Sequence, residues 1–288
     1  MAWGMESGLA ALAGLLLGSF LNVVIHRLPQ MLERQWDAEC QAHLAHRGHA
    51  SPLPVDASAP LNLAHPRSHC PHCGRPLRWY ENVPVFSYLA LRGRCAGCRQ
   101  RISLRYPLVE LATAALCAYG IARWGLTPAG MAWSGLGATL LTLALIDWDT
   151  TLLPDSLTVP LVWAGVLAAA LGWTGTTLSD AVWGAAGGYG SLWLVYWAFK
   201  LATGKEGMGY GDFKLFAALG AWFGWQALVP IILMSSVMGA LVGIALQLRQ
   251  GLREGGYMPF GPFLAGAGGA SLVWGDRPVQ ALLGIVGL

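Results

Sequence analysis

Charge is the scarcest property of this chain. Asp, Glu, Lys and Arg make up 11% of its 288 residues, against roughly 25% in an average soluble domain. That shortfall excludes a disordered chain, a coiled coil and an ordinary cytosolic enzyme. Basic side chains are missing altogether from the front end, MAWGMESGL, which carries one acid. The apolar run at 9–25 therefore lacks the basic flank of a secretory signal, and it ends in Asn22-Val-Val-Ile-His-Arg27 where a small-residue cleavage site would stand. Its length just suits a bilayer crossing, so it reads as a retained first span. No Gly-x-Gly-x-x-Gly nucleotide loop is visible in the polar region that follows, and no repeat symmetry relates the two halves.

What is present is apolar. Hydrophobic residues are 55% of the chain, with 14 Trp and 38 Gly, and the mean hydropathy is +0.49. The charges are bunched: 11 of the 18 Lys and Arg lie between Arg27 and Arg105, and all seven His between His26 and His72. This divides the chain into a first transmembrane helix (1–26), a polar insert (27–107) and a membrane-embedded body (108–288). Apolar segments at about 108–124, 129–146, 157–173, 180–199, 213–228, 229–248 and 260–275 bring the crossings to eight, and a short apolar tail occupies 278–288. The expected fold class is an all-α polytopic membrane protein with a small cytoplasmic insert. If the insert is cytoplasmic, 16 of the 18 basic residues fall on that side and only Arg123 and Arg277 outside, as the positive-inside rule requires. Both termini are then outside. Glycines at 184–188 and 266–269 suit close helix approach in lipid.

Within the insert, Cys70-Pro-His-Cys73 and Cys95-Ala-Gly-Cys98 form two Cys-x-x-Cys pairs. Two such knuckles supply four thiolates to a tetrahedral metal, with zinc the expected ion and no open position for chemistry. Disulfide or redox use needs an oxidising compartment, which a cytoplasmic insert does not meet. Cys40 and Cys117 have no partner pattern. The histidines 43, 46, 49, 65, 69 and 72 lack metal-site spacing and read as solvated loop residues.

After Tyr106 nine acids remain, and ionisable groups at membrane depth mark functional sites. Asp147-Trp-Asp149-Thr-Thr-Leu-Leu-Pro-Asp155 and Gly207-Met-Gly-Tyr-Gly-Asp212-Phe-Lys214 are far apart in sequence, yet the topology puts both on one face. Two facing carboxylates share a proton, so one can activate water while the other hydrogen-bonds a carbonyl. Glycines 209 and 211 allow close backbone approach. The plainer alternative is that these acids mark loop ends or pair with Lys205 and Lys214.

These residues resemble the type IV prepilin peptidases. The resemblance rests on Gly18-Ser-Phe-Leu-Asn-Val-Val-Ile-His-Arg-Leu-Pro29, the four cysteines, Trp79-Tyr-Glu-Asn-Val-Pro84, Arg101-Ile-Ser-Leu-Arg-Tyr-Pro-Leu-Val-Glu110, the two acid motifs and Pro259-Phe-Gly-Pro-Phe263. It runs from about residue 14 to 265 in the family's order. It implies Asp147, six residues before Leu153-Pro154, and Asp212, in Gly-x-Gly-Asp, as the catalytic pair, with Asp149 the rival of Asp147. Glu206 and Lys205 would position substrate or tune the acids. The implied substrates are prepilins and pseudopilins, cut after the Gly of a short basic leader at the cytoplasmic face. The new N-terminal residue would be methylated from S-adenosylmethionine, with Gly93 a methylation-critical position that a simple turn glycine would explain equally well. The implied setting is the bacterial inner membrane, beside pilus or type II secretion machinery, with lipid and no nucleic acid as partner. The alternatives are a peptidase without methyltransferase activity, and a polytopic transporter whose zinc-bearing domain binds a partner.

Overall fold

A computed structural model describes residues 4–47, 61–248 and 258–275. Among these residues the chain is helical, with no β-strand and only two isolated bridges. The helices are α1 (Met5–His46), α2 (Phe86–Ala90), α3 (Arg105–Trp124), α4 (Pro128–Thr150), α5 (Asp155–Ala170), α6 (Leu178–Thr203), α7 (Tyr210–Phe223), α8 (Leu228–Leu248) and α9 (Gly261–Trp274). Each of the eight apolar segments is thus a helix. Three stretches are long and apolar enough to cross a membrane by length and composition: Met5–His46, Pro128–Thr150 and Trp225–Leu248. At 1.5 Å per residue, α5, α7 and α9 reach only about 21–24 Å, short of a hydrocarbon core of roughly 30 Å.

Two compact units divide the chain, Ala11–Ala115 in one and Met1–Ala10 with Leu116–Leu288 in the other. In the Ala11–Ala115 unit, α1 does not stop at residue 26. It continues through Pro29 to His46, because losing one amide donor at the proline is outweighed by the Gln, Glu, Leu and Ala that follow. His43 and His46 therefore stand on a helix rather than in a loop, while His49 lies outside the described residues. Helices α1 and α3 meet where a Cβ on Gly18 would lie 2.7 Å from Glu110 Cα.

The other unit is a bundle built around α7. Every residue from 215 to 222 is buried, as expected of a helix that is apolar on all sides. It packs closely on α6 through glycines: a Cβ on either Gly184 or Gly220 would overlap the other's carbonyl, and one on Gly188 would lie 2.7 Å from the Phe216 carbonyl. This is the small-residue approach expected from 184–188. Gly268 does the same on α9, where a Cβ would run into Leu219. Trp222 Nε1 donates to the Leu161 carbonyl at 2.9 Å, tying α7 to α5. The seventh helix ends at Phe223, earlier than the hydropathy pattern indicates, because Gly224 takes a positive φ of 84° and Trp225–Ala227 form a 3-10 turn. The tail 278–288, Arg249, Arg253 and Arg277 lie outside the described residues.

Candidate functional site

Of the acids in the bundle, two are buried among the described residues: Asp147, 4% exposed, and Asp212, 5% exposed. Asp147 stands in the last turn of α4, which closes where the Thr151 N–H donates to the Asp147 carbonyl at 2.8 Å and Thr151 enters the left-handed region. Asp212 stands in the first turn of α7, after Gly209 at the helix N-cap. Leu153 bridges the two positions: its Cδ1 lies beside Gly261, which faces Asp147 Oδ2, and its Cβ lies against Gly211, the chain neighbour of Asp212. Asp212 Oδ1 is buried with no hydrogen-bond partner among the described residues.

Glycines make room for this pair. A Cβ on Gly261 would lie 2.5 Å from Asp147 Oδ2, and one on Gly211 would lie 2.6 Å from Leu153 Cβ. The ends of α4, α7 and α9 therefore converge on the acids, with Leu153 wedged beside Gly211 and Gly261. Gly261 had no role in the sequence analysis beyond its place in Pro259-Phe-Gly-Pro-Phe263. The signal for it was a glycine immediately before a helix-starting proline.

The remaining acids have other partners. Asp149 is exposed. Asp155, at the start of α5, accepts from Lys214 Nζ at 2.6 Å on both oxygens, joining that helix start to α7 two residues beyond Asp212. Asp180 serves the start of α6, accepting from Thr177 Oγ1 at 2.8 Å and from Trp225 Nε1 at 3.0 Å. Glu206 pairs with Lys200 at 2.8 Å, not with its neighbour Lys205, and this bond holds its carboxyl below the usual range. Lys200 also donates to Tyr196 Oη at 3.1 Å. Rings of Tyr196, Tyr210 and Phe213 lie 5.2–5.7 Å apart, so the loop before Asp212 is fastened on an aromatic cluster. Glu254 and Asp276 fall outside the described residues.

In the Ala11–Ala115 unit, the two cysteine turns have the same local design. The N–H of Cys70 donates to the Arg75 carbonyl at 3.0 Å and that of Gly74 to the Cys70 carbonyl at 2.9 Å. In the second turn Cys95 bonds Gln100 at 2.9 Å and Arg99 bonds Cys95 at 3.0 Å. Gly74 and Arg99 both occupy the left-handed region, which closes each turn on its cysteines. All four sulfurs lie within 4.8 Å of one another, and every described cysteine is a free thiol. Backbone N–H groups of Cys98 and Gly97 pull the Cys95 thiol down to about 6. Such a cluster can hold one metal ion.

Beside it, buried Glu81 is paired with Arg75 and accepts from the Arg78 N–H at 2.8 Å. These bonds, the backbone one first, keep its carboxyl below the usual range. Gly93 has a φ of 66°, and a Cβ there would lie 2.7 Å from Tyr88 Oη. Its N–H donates to the Tyr88 carbonyl and its carbonyl accepts from Ile102, both at 2.8 Å. These surroundings fit a turn glycine.

Two carboxyls buried at converging helix ends form an arrangement in which a pair of acids can share one proton, the arrangement that aspartic hydrolases use. Residues 12–124 match the bacterial peptidase A24 N-terminal domain and residues 135–244 the type IV leader peptidase family. The chain is 50% identical to a prepilin leader peptidase/N-methyltransferase of Pseudomonas putida, over 97% of this chain and 94% of that one. It is 53% identical to that of Aeromonas salmonicida, over 93% and 90%, and 50% identical to that of Pseudomonas aeruginosa, over 96% and 93%. The chain belongs to the type IV leader peptidase family. No solved structure matches it.

Proposed function

We propose that this chain cleaves the leaders of type IV prepilins and pseudopilins by a two-aspartate mechanism and then N-methylates the new N-terminal residue. The observation that carries the mechanism is the burial of Asp147 and Asp212 together, while Asp149 is exposed, Asp155 and Glu206 pair with lysines, and Asp180 accepts from Trp225. Two carboxyls so placed share one proton, since like charges in a dry site cannot both persist. The ionised member takes a proton from a water, and that water's oxygen attacks the carbonyl carbon of the scissile peptide. The protonated member donates a hydrogen bond to the carbonyl oxygen as negative charge develops there. Gly209 leaves the approach to Asp212 open, since a Cβ there would meet no side chain nearer than Asp212 Oδ2 at 3.7 Å.

The cysteine cluster holds zinc in this reading. Four Zn–S bonds of about 2.3 Å in a tetrahedron hold their sulfurs roughly 3.8 Å apart, and Cys70 Sγ and Cys98 Sγ lie at 3.8 Å. With four cysteine ligands the ion has a structural role. S-adenosylmethionine is the methyl donor, and Gly93 contributes through the turn that places Tyr88 and the second knuckle. The chain takes its place in the bacterial inner membrane through its eight apolar helices, of which α5, α7 and α9 are too short to cross a hydrocarbon core unaided, with its insert and acids on the cytoplasmic side, where pilus or type II secretion machinery uses its products.

The test is the mass of a prepilin N-terminus after co-expression with this chain, beside an Asp212→Asn control. Shortening after the leader Gly with one added methyl is expected. Shortening without the methyl removes the transferase, and an uncut panel of precursors with folded protein removes the peptidase.

A further inference from the structure

The basic residues of the cysteine-bearing segment have no part in the chemistry above. Between residues 61 and 107 there are eight arginines and one acid, Glu81, and that acid is buried against Arg75. The same stretch exposes Trp79 (81%), Phe86 (62%) and Leu89 (66%), a display of large apolar side chains that marks a contact surface.

Hydrogen bonds set the depth of this surface. Glu110, near the start of the apolar stretch 108–124, accepts from the N–H of Val85 at 2.7 Å, and Val85 opens α2. Asn22, near the end of the apolar run 9–25, donates to the Tyr106 carbonyl at 3.1 Å, and Arg27 donates to the Asn62 carbonyl at 3.0 Å. The segment is thus tied to the ends of the apolar stretches of α1 and α3. Trp79 lines a groove of about 520 Å³ together with Tyr80, Arg67, Arg75 and Arg78. Arg75 is engaged by Glu81, which leaves Arg67 and Arg78 to meet an anion.

We propose that residues 76–91 form an interfacial foot on the membrane that α1 and α3 enter. Trp79, Phe86 and Leu89 sink into the headgroup layer, and the arginine groove binds the phosphate of an anionic lipid headgroup. Charge complementarity favours this occupant: arginines that face an anionic leaflet gain attraction that a zwitterionic one does not supply, and Trp and Tyr settle at such interfaces. This role is independent of the peptidase and methyltransferase reading, because neither activity enters its test.

Full-length protein in nanodiscs of phosphatidylcholine with rising phosphatidylglycerol is labelled with hydroxyl radicals, and modification of Trp79, Phe86 and Leu89 is followed by mass spectrometry. Labelling should fall several-fold as phosphatidylglycerol rises and recover in high salt. Arg67→Gln, at an exposed position, should raise the phosphatidylglycerol content at half-protection by about fivefold, and Arg78→Gln likewise. Thermal melting controls for folding; if Arg78→Gln melts early, Arg67→Gln alone decides. Equal labelling with and without phosphatidylglycerol would overturn the foot. So would equal protection by inorganic phosphate in phosphatidylcholine discs, or protection that requires an added protein substrate.

Discussion

Asp212 rides on a helix that is buried all round from 215 to 222, whereas Cys70 and Cys95 sit on short turns closed by backbone hydrogen bonds. Around the acids, placement comes from glycine-mediated helix contact at Gly184, Gly188 and Gly220 and from the Trp222 bond to Leu161. Around the thiols, it comes from paired turns, two left-handed residues and the Glu81–Arg75 pair. The first design is a tightly packed apolar scaffold that holds two carboxyls away from bulk solvent. The second has little apolar core and brings four thiols close enough together to hold one metal ion, as small metal-bearing modules do.

The largest effects that bear on this contrast are expected at the acids. Asp147→Asn or Asp212→Asn should lower prepilin cleavage by at least about a thousandfold, with melting temperature unchanged because the shape is kept; cleavage that survives in either variant would break the pair. Asp149→Asn, at an exposed position, should stay near wild type, and a comparable loss there would exchange its role with that of Asp147. Next, Gly261→Ala should push the Asp147 carboxyl aside and cost about a hundredfold in turnover, read as kcat at saturating substrate.

At the other pole, Cys70→Ser should abolish metal binding, measured by elemental analysis, and lower the stability of residues 61–107 in hydrogen exchange while the bundle's protection persists. Parallel loss of protection in α7 would show that the two designs are not separable. A smaller effect belongs to Glu81. Its carboxyl is held below the unfolded value of 4.5 by the Arg78 N–H and then by Arg75. Its stabilisation is therefore complete above that value and is lost as pH falls through the lower, folded one. Glu81→Gln should remove this part of the acid sensitivity, seen as the difference between the two melting-versus-pH curves. Smallest is Lys214→Met. Its exposed pair with Asp155 is worth about 0–1 kcal/mol, so melting should shift little. A drop in kcat of more than about tenfold would promote Lys214 to a positioning residue for Asp212.

Much of this was legible in the sequence because it is local. Cys-x-x-Cys spacing announces a knuckle, and Gly-x-Gly-Asp announces an acid that backbone can approach. Apolar runs announce helices, and all eight are helical. Less legible were matters of contact. Positions two apart on a helix are turned about 200° from each other, so Asp147 and Asp149 face opposite ways, and only packing decides which way is inward. The role of Gly261 depends on α9 arriving beside α4 from more than a hundred residues away. The continuation of α1 to His46 was hidden by Pro29 and by a change of polarity that read as the end of a helix.

The sequence by itself determined the class of the molecule, its helical segments, the four-thiol cluster and the two motifs that carry the acids. These follow from composition and short-range spacing, which act within a few turns of chain. The tertiary structure alone decided which aspartates are buried together, which glycines leave room for them and which acids pair with Lys200 and Lys214. Those outcomes depend on side chains far apart in sequence competing for the same space, and only packing resolves that competition.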